Sequence, residues 1–371
     1  MSLNSLVARF RGEGLALVAG VGFPLAFAPF SLAPLAVVCL AGLFATWAGA
    51  TPLRAAARGF LFGCGAFGFG VSWVFVSLHT YGNMPAPMAG VAVVGFVALL
   101  SVFPALAGWL QARVVPAQRP VIAWVLAMPA AWVVGEWLRD WVLTGFPWLA
   151  AGYSQVGWVY ANTASWLGIY GVSLVTALSA GLVVGLVCRF RALGARLLVL
   201  AVVLVAATWA AGRVVWTAPV GEPLRVALVQ GNVSLIDKWR PGNSARIRDL
   251  YLELSRRYTD RDLIVWPESA LPYYFDEISD PFWQALQAHP ADFVIGMMER
   301  DVRMRTFHNS VVAVAGELQF YRKRHLVPFG EFLPLKPLFG WVIDYLNIPM
   351  ADFSSWSGAQ APAVRISRSD W

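Results

Sequence analysis

Long apolar runs dominate the first 213 residues, and each is close to the length that a helix needs to cross a bilayer. About 20 predominantly apolar residues span the hydrocarbon core as an α-helix. Such runs cover residues 14–30, 32–50, 59–78, 88–110, 121–134, 164–187 and 197–212. They predict a multi-pass α-helical membrane domain over residues 1–213, with about seven helices.

Arginine is concentrated in every second loop between these runs. The basic positions are Arg9, Arg11, Arg54, Arg58, Arg113, Arg119, Arg189, Arg191 and Arg196. Loops rich in Lys and Arg stay in the cytoplasm, so the alternation predicts a cytoplasmic N-terminus. An odd number of spans then places residues 214–371 outside. We therefore expect an inner-membrane protein with a periplasmic second domain.

The overall basic charge follows from this topology. The first 213 residues hold eleven arginines against three acidic residues, whereas residues 214–371 hold eighteen acidic residues against seventeen basic ones. A basic protein often binds nucleic acid, but here the excess lies in short loops between apolar runs. We therefore expect no nucleic-acid partner.

Aromatic residues crowd the segment between the fifth and sixth runs, which we predict to be a loop starting at Glu136. It contains Trp137, Trp141, Trp148 and Tyr153. Trp and Tyr prefer the membrane–water interface, so one interpretation is a simple interfacial belt. The other is a lipid-facing floor beneath an active site, in which Trp148 and Tyr153 would contact the substrate.

The pattern changes beyond Pro219, where short apolar runs alternate with amphipathic segments. Strands are predicted at 224–229, 263–266 and 293–298, and a hairpin at 309–315 and 317–321. Helices are predicted at 244–258 and 280–288, the second with Asp280 as its cap. Strands that alternate with helices indicate an α/β layered domain.

Glu268 is the first candidate for chemistry. It lies in a Trp-Pro-Glu-Ser sequence directly after the predicted strand 263–266, and functional residues of α/β domains gather at the carboxyl ends of strands. A carboxylate there can act as a general base. A helix cap or a surface acid is the alternative.

Lys323 and Glu331 form the second candidate pair. Lys323 is one of only three lysines in an arginine-rich chain. The compact ammonium of Lys is suited to an oxyanion, although a lone lysine is more often a solvated cation. Glu331 follows eight residues later among apolar neighbours.

The three cysteines give no sign of a metal site or a disulfide. Cys39, Cys64 and Cys188 lie inside or at the end of apolar runs, without metal-like or paired spacing. We predict that all three are buried in the membrane domain.

Together the motifs resemble the apolipoprotein N-acyltransferases, membrane members of the nitrilase superfamily. The resemblance rests on Phe-Ala-Pro-Phe at 27–30, the motifs at 144–149 and 152–155, Val-Gln-Gly-Asn at 229–232 with Lys238-Trp239, and Trp-Pro-Glu-Ser at 266–269. It continues through Lys323, residues 326–335 and residues 349–356. The ordered set covers nearly the whole chain, which makes the resemblance specific.

The resemblance implies an activity and a role for each candidate. The family transfers an acyl chain from a phospholipid to the α-amine of a lipoprotein's diacylglyceryl-cysteine, through a thioester on a Glu-Lys-Cys triad. Glu268 would be the general base, Lys323 the oxyanion partner and Glu331 a supporting acid, while Trp239 would lie near the substrate entrance. No metal or other cofactor is implied, and we expect a monomer.

The sequence departs from the family pattern at its end. The family's nucleophilic Cys comes roughly fifty residues after the Lys, which would place it beyond Trp371. We therefore expect the nitrilase-like αββα sandwich of residues 214–371 to be incomplete and truncated before its nucleophile. The apolar stretch 335–350 would suit a lid that dips into the lipid, or equally an ordinary buried loop.

Three alternatives remain open at this point. The chain could be another membrane-tethered, nitrilase-type amidase for small amides, although its Trp-rich segment argues against a closed polar pocket. It could be a catalytically inactive remnant that only binds lipid or lipoprotein, which the missing cysteine favours. A seven-span receptor or transporter ranks last, because transport pathways usually carry charges within the spans.

Overall fold

The computed structural model describes residues 3–115, 118–327, 331–332 and 353–360, with side chains from residue 11 onward. The predicted lid at 335–350 lies outside the described residues. The chain divides into two compact units, Met1–Ala218 and Pro219–Trp371.

The first unit is built from helices. They are α1 (Leu3–Gly22), α2 (Ala33–Trp47), α3 (Pro52–Gly70), α4 (Trp73–Val76), α5 (Ala86–Val114), α6 (Pro120–Ile122), α7 (Met128–Arg139) and α8 (Ala164–Ala211). A π-helical turn, Ala123–Ala127, joins α6 to α7, and a second, Ser77–Tyr81, follows α4. Short 3-10 helices lie at Phe23–Ala26, Val142–Thr144, Ala151–Gln155 and Val159–Thr163.

Three helical stretches of the described chain are long and apolar enough to cross a bilayer. They are Ala86–Val114, Pro120–Arg139 and Val159–Ala211, and a fourth results if α3 and the helix bent by 51° from it, Trp73–Tyr81, count as one span. The 48-residue α8 would be roughly 70 Å long if straight, about twice the bilayer core. Its backbone is non-helical at Arg189, between the predicted sixth and seventh spans. The count of seven stays a prediction.

Close approach of backbones holds α3 against α5. A side chain added at Gly59 would place its Cβ 2.2 Å from the carbonyl oxygen of Pro104, so only glycine allows this contact. Small residues at helix interfaces serve this purpose in membranes, where burial of apolar surface between helices gains little over contact with lipid. The apolar core includes edge-to-face contacts of Trp132 with Phe23 and Phe62, at 6.1 and 5.6 Å between ring centroids.

Two charged residues that we predicted to lie in a loop are buried in α7 instead. Glu136 and Arg139 are each 4% exposed. The Oε1 atom of Glu136 accepts hydrogen bonds from the Trp132 indole at 2.8 Å and from the Ala151 amide at 2.7 Å. The Arg139 guanidinium lies 5.1 Å from the Phe67 ring centroid. The loop prediction failed because it treated charge as a sign of exposure, whereas Glu136 accepts buried hydrogen bonds and Arg139 lies against an aromatic ring.

The second unit is a five-stranded mixed sheet with helices packed against it. The strands are β1 (Val226–Leu228), β2 (Leu263–Trp266), β3 (Asp292–Asp301), β4 (Thr306–Ala315) and β5 (Glu317–Arg322), in spatial order β1-β2-β3-β4-β5. The helices are α9 (Leu235–Lys238), α10 (Ser244–Arg256) and α11 (Asp280–Gln287). β1, β2 and β3 are parallel, and β4 and β5 continue the sheet antiparallel.

The core of this unit forms where the two longer helices meet the sheet. Ile247 and Tyr251 of α10 and Phe282 of α11 are buried together with Ile264 and Ile295 of the central strands. The predicted α/β class and the hairpin around Gly316 are confirmed. The predicted cap of α11 is wrong by one residue, because Ser279 holds the extended N-cap conformation and Asp280 begins the helix.

Candidate active site

Glu268 lies just beyond the carboxyl end of β2, as its position after the strand predicted. Ser269 has a left-handed backbone, with φ of 46°, so the chain turns sharply here. The amide of Ala270 then donates to the carbonyl oxygen of Gly296 in the neighbouring strand β3, at 2.8 Å. The turn therefore fixes the Glu268 backbone against β3.

Gly296 is the residue that lets this turn pass so close. A Cβ added at Gly296 would lie 2.5 Å from the Pro267 carbonyl oxygen and 2.6 Å from the Glu268 Cα. These are backbone atoms, which cannot move aside for an added Cβ as the end of a flexible side chain can. The position of Glu268 therefore depends on a glycine one strand away.

Gly296→Ala is expected to destabilise the second unit by roughly 1–3 kcal/mol, because overpacking forces backbone shifts, and to displace Glu268. Thermal unfolding of the whole chain in detergent measures the loss. Gly95→Ala in α5 is the matched control, since a Cβ there meets nothing within 4 Å. Equal melting temperatures for the two variants would show that the Glu268 turn tolerates the added methyl group.

Asn309 of β4 joins Glu268 to the second candidate pair. Its Nδ2 atom donates to Oε1 of Glu268 and, at 2.7 Å, to Oε1 of Glu331. The Lys323 ammonium donates to the same Glu331 oxygen at 2.9 Å. Glu268, Lys323 and Glu331, which the sequence singled out separately, therefore belong to one hydrogen-bonded cluster.

The Lys323 backbone is fixed from two sides. Its amide donates to the Asn309 carbonyl oxygen at 2.8 Å, and its own carbonyl oxygen accepts from the Trp356 amide at 3.1 Å. Trp356 belongs to the late motif at 349–356, of which residues 353–356 are described. Phe353 of the same segment donates its amide to the Glu331 carbonyl oxygen at 2.8 Å. This segment therefore supports both Lys323 and Glu331.

Glu331 is held as a carboxylate. Burial alone would raise its pKa, but hydrogen bonds from the Val327 amide, from Lys323 and from Asn309 outweigh that effect and lower the pKa. The Val327 amide donates to Oε2 at 2.7 Å. A carboxyl group with a lowered pKa in the folded state stabilises the fold above the pKa of the unfolded chain.

Glu331→Gln is expected to lower the melting temperature at neutral pH, and the difference from the parent should shrink below about pH 4.3, the ordinary pKa of Glu. The reason is linkage: as the pH falls through the lowered pKa of folded Glu331, the parent loses the same charge that the variant lacks. Melting curves at several pH values measure the difference. A difference that stays constant down to pH 3 would contradict the lowered pKa.

Lys238 lies near Glu268 of this cluster, and Trp239 follows it in the chain. Partial burial lowers the pKa of the Lys238 ammonium, and the nearby Glu268 carboxylate opposes that shift. The ammonium lies 5.8 Å from the centroid of the Trp239 ring. Trp239 is 39% exposed. The predicted part of Trp239 at a substrate entrance stays a prediction.

Trp148 and Tyr153 belong to the first unit and are about half exposed. The indole of Trp148 donates to the Gly70 carbonyl oxygen at 3.0 Å and its ring lies 5.2 Å from that of Trp73. Their part in substrate binding stays a prediction.

The three cysteines differ in burial. Within the protein Cys39 is buried, Cys64 is partly buried and Cys188 is exposed, so Cys188 is not covered by other residues of the chain. Burial of all three in the membrane stays a prediction. Cys188 directly precedes Arg189, where the backbone of α8 is non-helical. All three lie in the first unit, and none follows Cys188 in the sequence. Within the described residues, no group of three potential metal ligands occurs.

Asn309 is the site residue that the motifs did not reveal. A signal was nonetheless present, since His308, Asn309 and Ser310 are three consecutive polar residues inside a strand. All three are buried. Buried polar side chains need hydrogen-bond partners. Such a run therefore indicates that other polar groups, and with them a candidate site, lie next to this strand.

Comparison with known proteins places both units. Residues 19–182 match the family model described as the apolipoprotein N-acyltransferase N-terminal domain, and residues 225–339 match the carbon-nitrogen hydrolase model. A protein of Methylococcus capsulatus named apolipoprotein N-acyltransferase is 42% identical over 356 residues, which cover 93% of this chain and 69% of the relative.

Two further relatives carry the same name. The protein of Nitrosomonas europaea is 40% identical over 96% of this chain and 71% of its own length. That of Pseudomonas aeruginosa is 41% identical over 92% and 69% respectively. With its apolar helices and its carbon-nitrogen hydrolase unit, this chain belongs to the apolipoprotein N-acyltransferase family, a family of membrane-bound acyltransferases.

Proposed function

We propose that this protein transfers an acyl chain from a membrane phospholipid to the free α-amine of a diacylglyceryl-cysteine at the N-terminus of a lipoprotein. The observation that carries the proposal is the cluster at the carboxyl end of β2, where Asn309 and Glu331 link Glu268 to Lys323. It offers a carboxylate base and a cation within one hydrogen-bonded cluster, and acyl transfer through a thiol needs both.

In the proposed reaction Glu268 takes the proton of a cysteine thiol, and the thiolate attacks the ester carbonyl of the phospholipid. Lys323 stabilises the oxyanion while the thioester forms. The lysophospholipid leaves as an alcohol with the proton from Glu268. The lipoprotein amine then attacks the thioester, loses a proton to Glu268, and the thiolate leaves to be reprotonated.

The thiol has to come from outside the described cluster. The second unit contains no cysteine within these 371 residues, and the family resemblance implies a nucleophilic cysteine roughly fifty residues after Lys323. Glu331 would act by holding Lys323, which donates to it at 2.9 Å. Trp239, Trp148 and Tyr153 would contact the lipid substrates.

We place the protein in the inner membrane as a monomer, with Glu268 on the periplasmic side. The basic loops support this orientation, because they alternate with loops that carry few charges. Exposed tryptophans near helix ends, including Trp141 at 67%, support an interfacial position for the segment between α7 and α8.

Side-specific thiol labelling tests the orientation. In a chain with all three native cysteines replaced, Arg303→Cys in the exposed turn between β3 and β4 should react with a membrane-impermeant maleimide on intact spheroplasts. Arg113→Cys, in the last turn of α5 at an end predicted to be cytoplasmic, should react only after lysis. Reversed labelling would place Glu268 in the cytoplasm and end the proposal.

A product assay tests the reaction. A chain extended with the part of the Methylococcus relative that follows the matched region is mixed with phosphatidylethanolamine vesicles and a diacylglyceryl-cysteine peptide. We expect one acyl mass added to the peptide amine for each lysophospholipid released. Hydrolysis of small amides, without peptide acylation, would indicate a membrane-tethered amidase instead. Lipid binding without any turnover would indicate an inactive remnant.

A further inference from the structure

The side chain of Asn309 holds the two carboxylates of the cluster together. We propose that Asn309 is the positioning residue of the site: it donates a hydrogen bond to each of Glu268 and Glu331, holds the two carboxylates side by side and orients Glu268 as the proton acceptor. This inference rests on the proposed function, in which Glu268 is the general base. It adds to the reaction a residue outside the motifs that identified the site.

An amide is well suited to this task. The nitrogen of an Asn side chain carries two hydrogens, and here one is directed to Oε1 of Glu268 and the other to Oε1 of Glu331. The opposite orientation of the amide would turn its oxygen towards two carboxylates. Unlike lysine, an amide supplies two donors without adding a charge that would pair permanently with the base.

The backbone gives Asn309 a fixed place. Its Cα is paired with Met298 in the ladder between β3 and β4, and its carbonyl oxygen accepts from the Lys323 amide. The residue is 8% exposed. A donor held this firmly can orient the Glu268 carboxylate, which stands on a turn and not on a strand.

Electrostatics shows why the donor is needed. Two carboxylates that share one donor atom repel each other, and this repulsion disfavours the ionised form of both. A hydrogen bond donated to a carboxylate favours its ionised form. The other charged groups around them are Lys323, which pairs with Glu331, and Lys238, which acts on Glu268 from α9. Among the described ion pairs, none joins Lys323 to Glu268. Asn309 therefore supplies the hydrogen bond that joins the Glu268 carboxylate to the cluster beside Glu331.

Carboxyl ¹³C NMR on the 371-residue chain tests the inference directly. The chain has nine glutamates, so labelling their side-chain carboxyl carbons gives few signals, and Glu268→Gln and Glu331→Gln assign the two of interest. In Asn309→Ala the titration midpoints of both should rise by about one pH unit or more. Asn309→Asp keeps the shape but adds a third carboxylate, and should also raise them.

Ser310→Ala is the matched control. Ser310 is the next residue on β4 and is also buried, but its hydroxyl donates to Glu299 at 2.7 Å and not to the cluster. It should leave both midpoints unchanged. Unchanged midpoints in both Asn309 variants, as in the control, would overturn the inference even if one variant were less stable.

The pH profile of acyl transfer separates this inference from the proposed function. In the extended chain, the deficit of Asn309→Ala should be largest at acidic pH and shrink as the pH rises, because Glu268 regains its charge. A purely structural role would lower the rate equally at every pH and would overturn the inference. A parent chain that transfers no acyl group at any pH would overturn the proposed function, whatever the NMR titration shows.

Discussion

Glu268→Gln is expected to lower the rate of acyl transfer by the extended chain about 10²–10⁴-fold, the usual contribution of a general base. Gln has almost the same shape and can still accept from Asn309, but it cannot take the thiol proton. The turn between β2 and the following residues should therefore persist. Release of lysophospholipid from vesicles measures the first half of the reaction without the lipoprotein peptide.

Glu253→Gln is the matched control for this experiment. Glu253 lies on the exposed surface of α10, where it pairs with Arg256 at 3.1 Å, and surface pairs of this kind contribute little. Its replacement should leave the rate unchanged. A Glu268→Gln variant that releases lysophospholipid as fast as the control would remove Glu268 from the reaction.

Glu136→Ala is expected to destabilise the first unit by about 3–5 kcal/mol, the usual effect of removing one member of a buried charged pair. The substitution removes the acceptor for the Trp132 indole and the Ala151 amide. It also leaves the buried guanidinium of Arg139, on the next turn of α7, without the opposite charge that acts on it most strongly. Thermal unfolding in detergent micelles measures the loss.

Trp137→Ala, at a 47% exposed position of the same helix, is the control and should change the melting temperature far less. Glu136→Gln should fall between the two, because Gln keeps an acceptor but loses the charge. If Glu136→Ala melted like the control, the buried charges of α7 would contribute nothing to stability. The hydrogen bond from the Ala151 amide to Glu136 would then not be what holds the 3-10 helix Ala151–Gln155 in place.

Periodicity and strand-end motifs were enough to predict most of the second unit. Strand β2 and helix α10 begin at the predicted residues, because each has a clear apolar pattern with clear boundaries in the sequence. β3 and β4 are longer than predicted. Most of their extra residues, such as Arg300 and Thr306, are polar, yet they are paired across the ladder, which apolar patterning alone does not reveal.

The candidate site was predictable only in parts. Glu268 follows a strand, and Lys323 and Glu331 stand in a recognisable motif, so residue type and spacing identified them. Asn309 was not predicted as a site residue, because its partners lie 41 and 22 residues away in sequence. The burial of Glu136 was not predicted for the same reason, since its partner Ala151 belongs to a separate 3-10 helix. Long-range hydrogen bonds of this kind depend on the fold as a whole.

The intact mass of the protein after incubation with phospholipid vesicles tests the account most directly. For the extended chain we predict a gain of one acyl mass, mapped by peptide sequencing to a cysteine in the appended segment and lost in Glu268→Gln. The 371-residue chain should gain nothing. An acyl group on Cys39, Cys64 or Cys188, or peptide acylation without any enzyme adduct, would contradict a thioester formed beside Glu268 and Lys323.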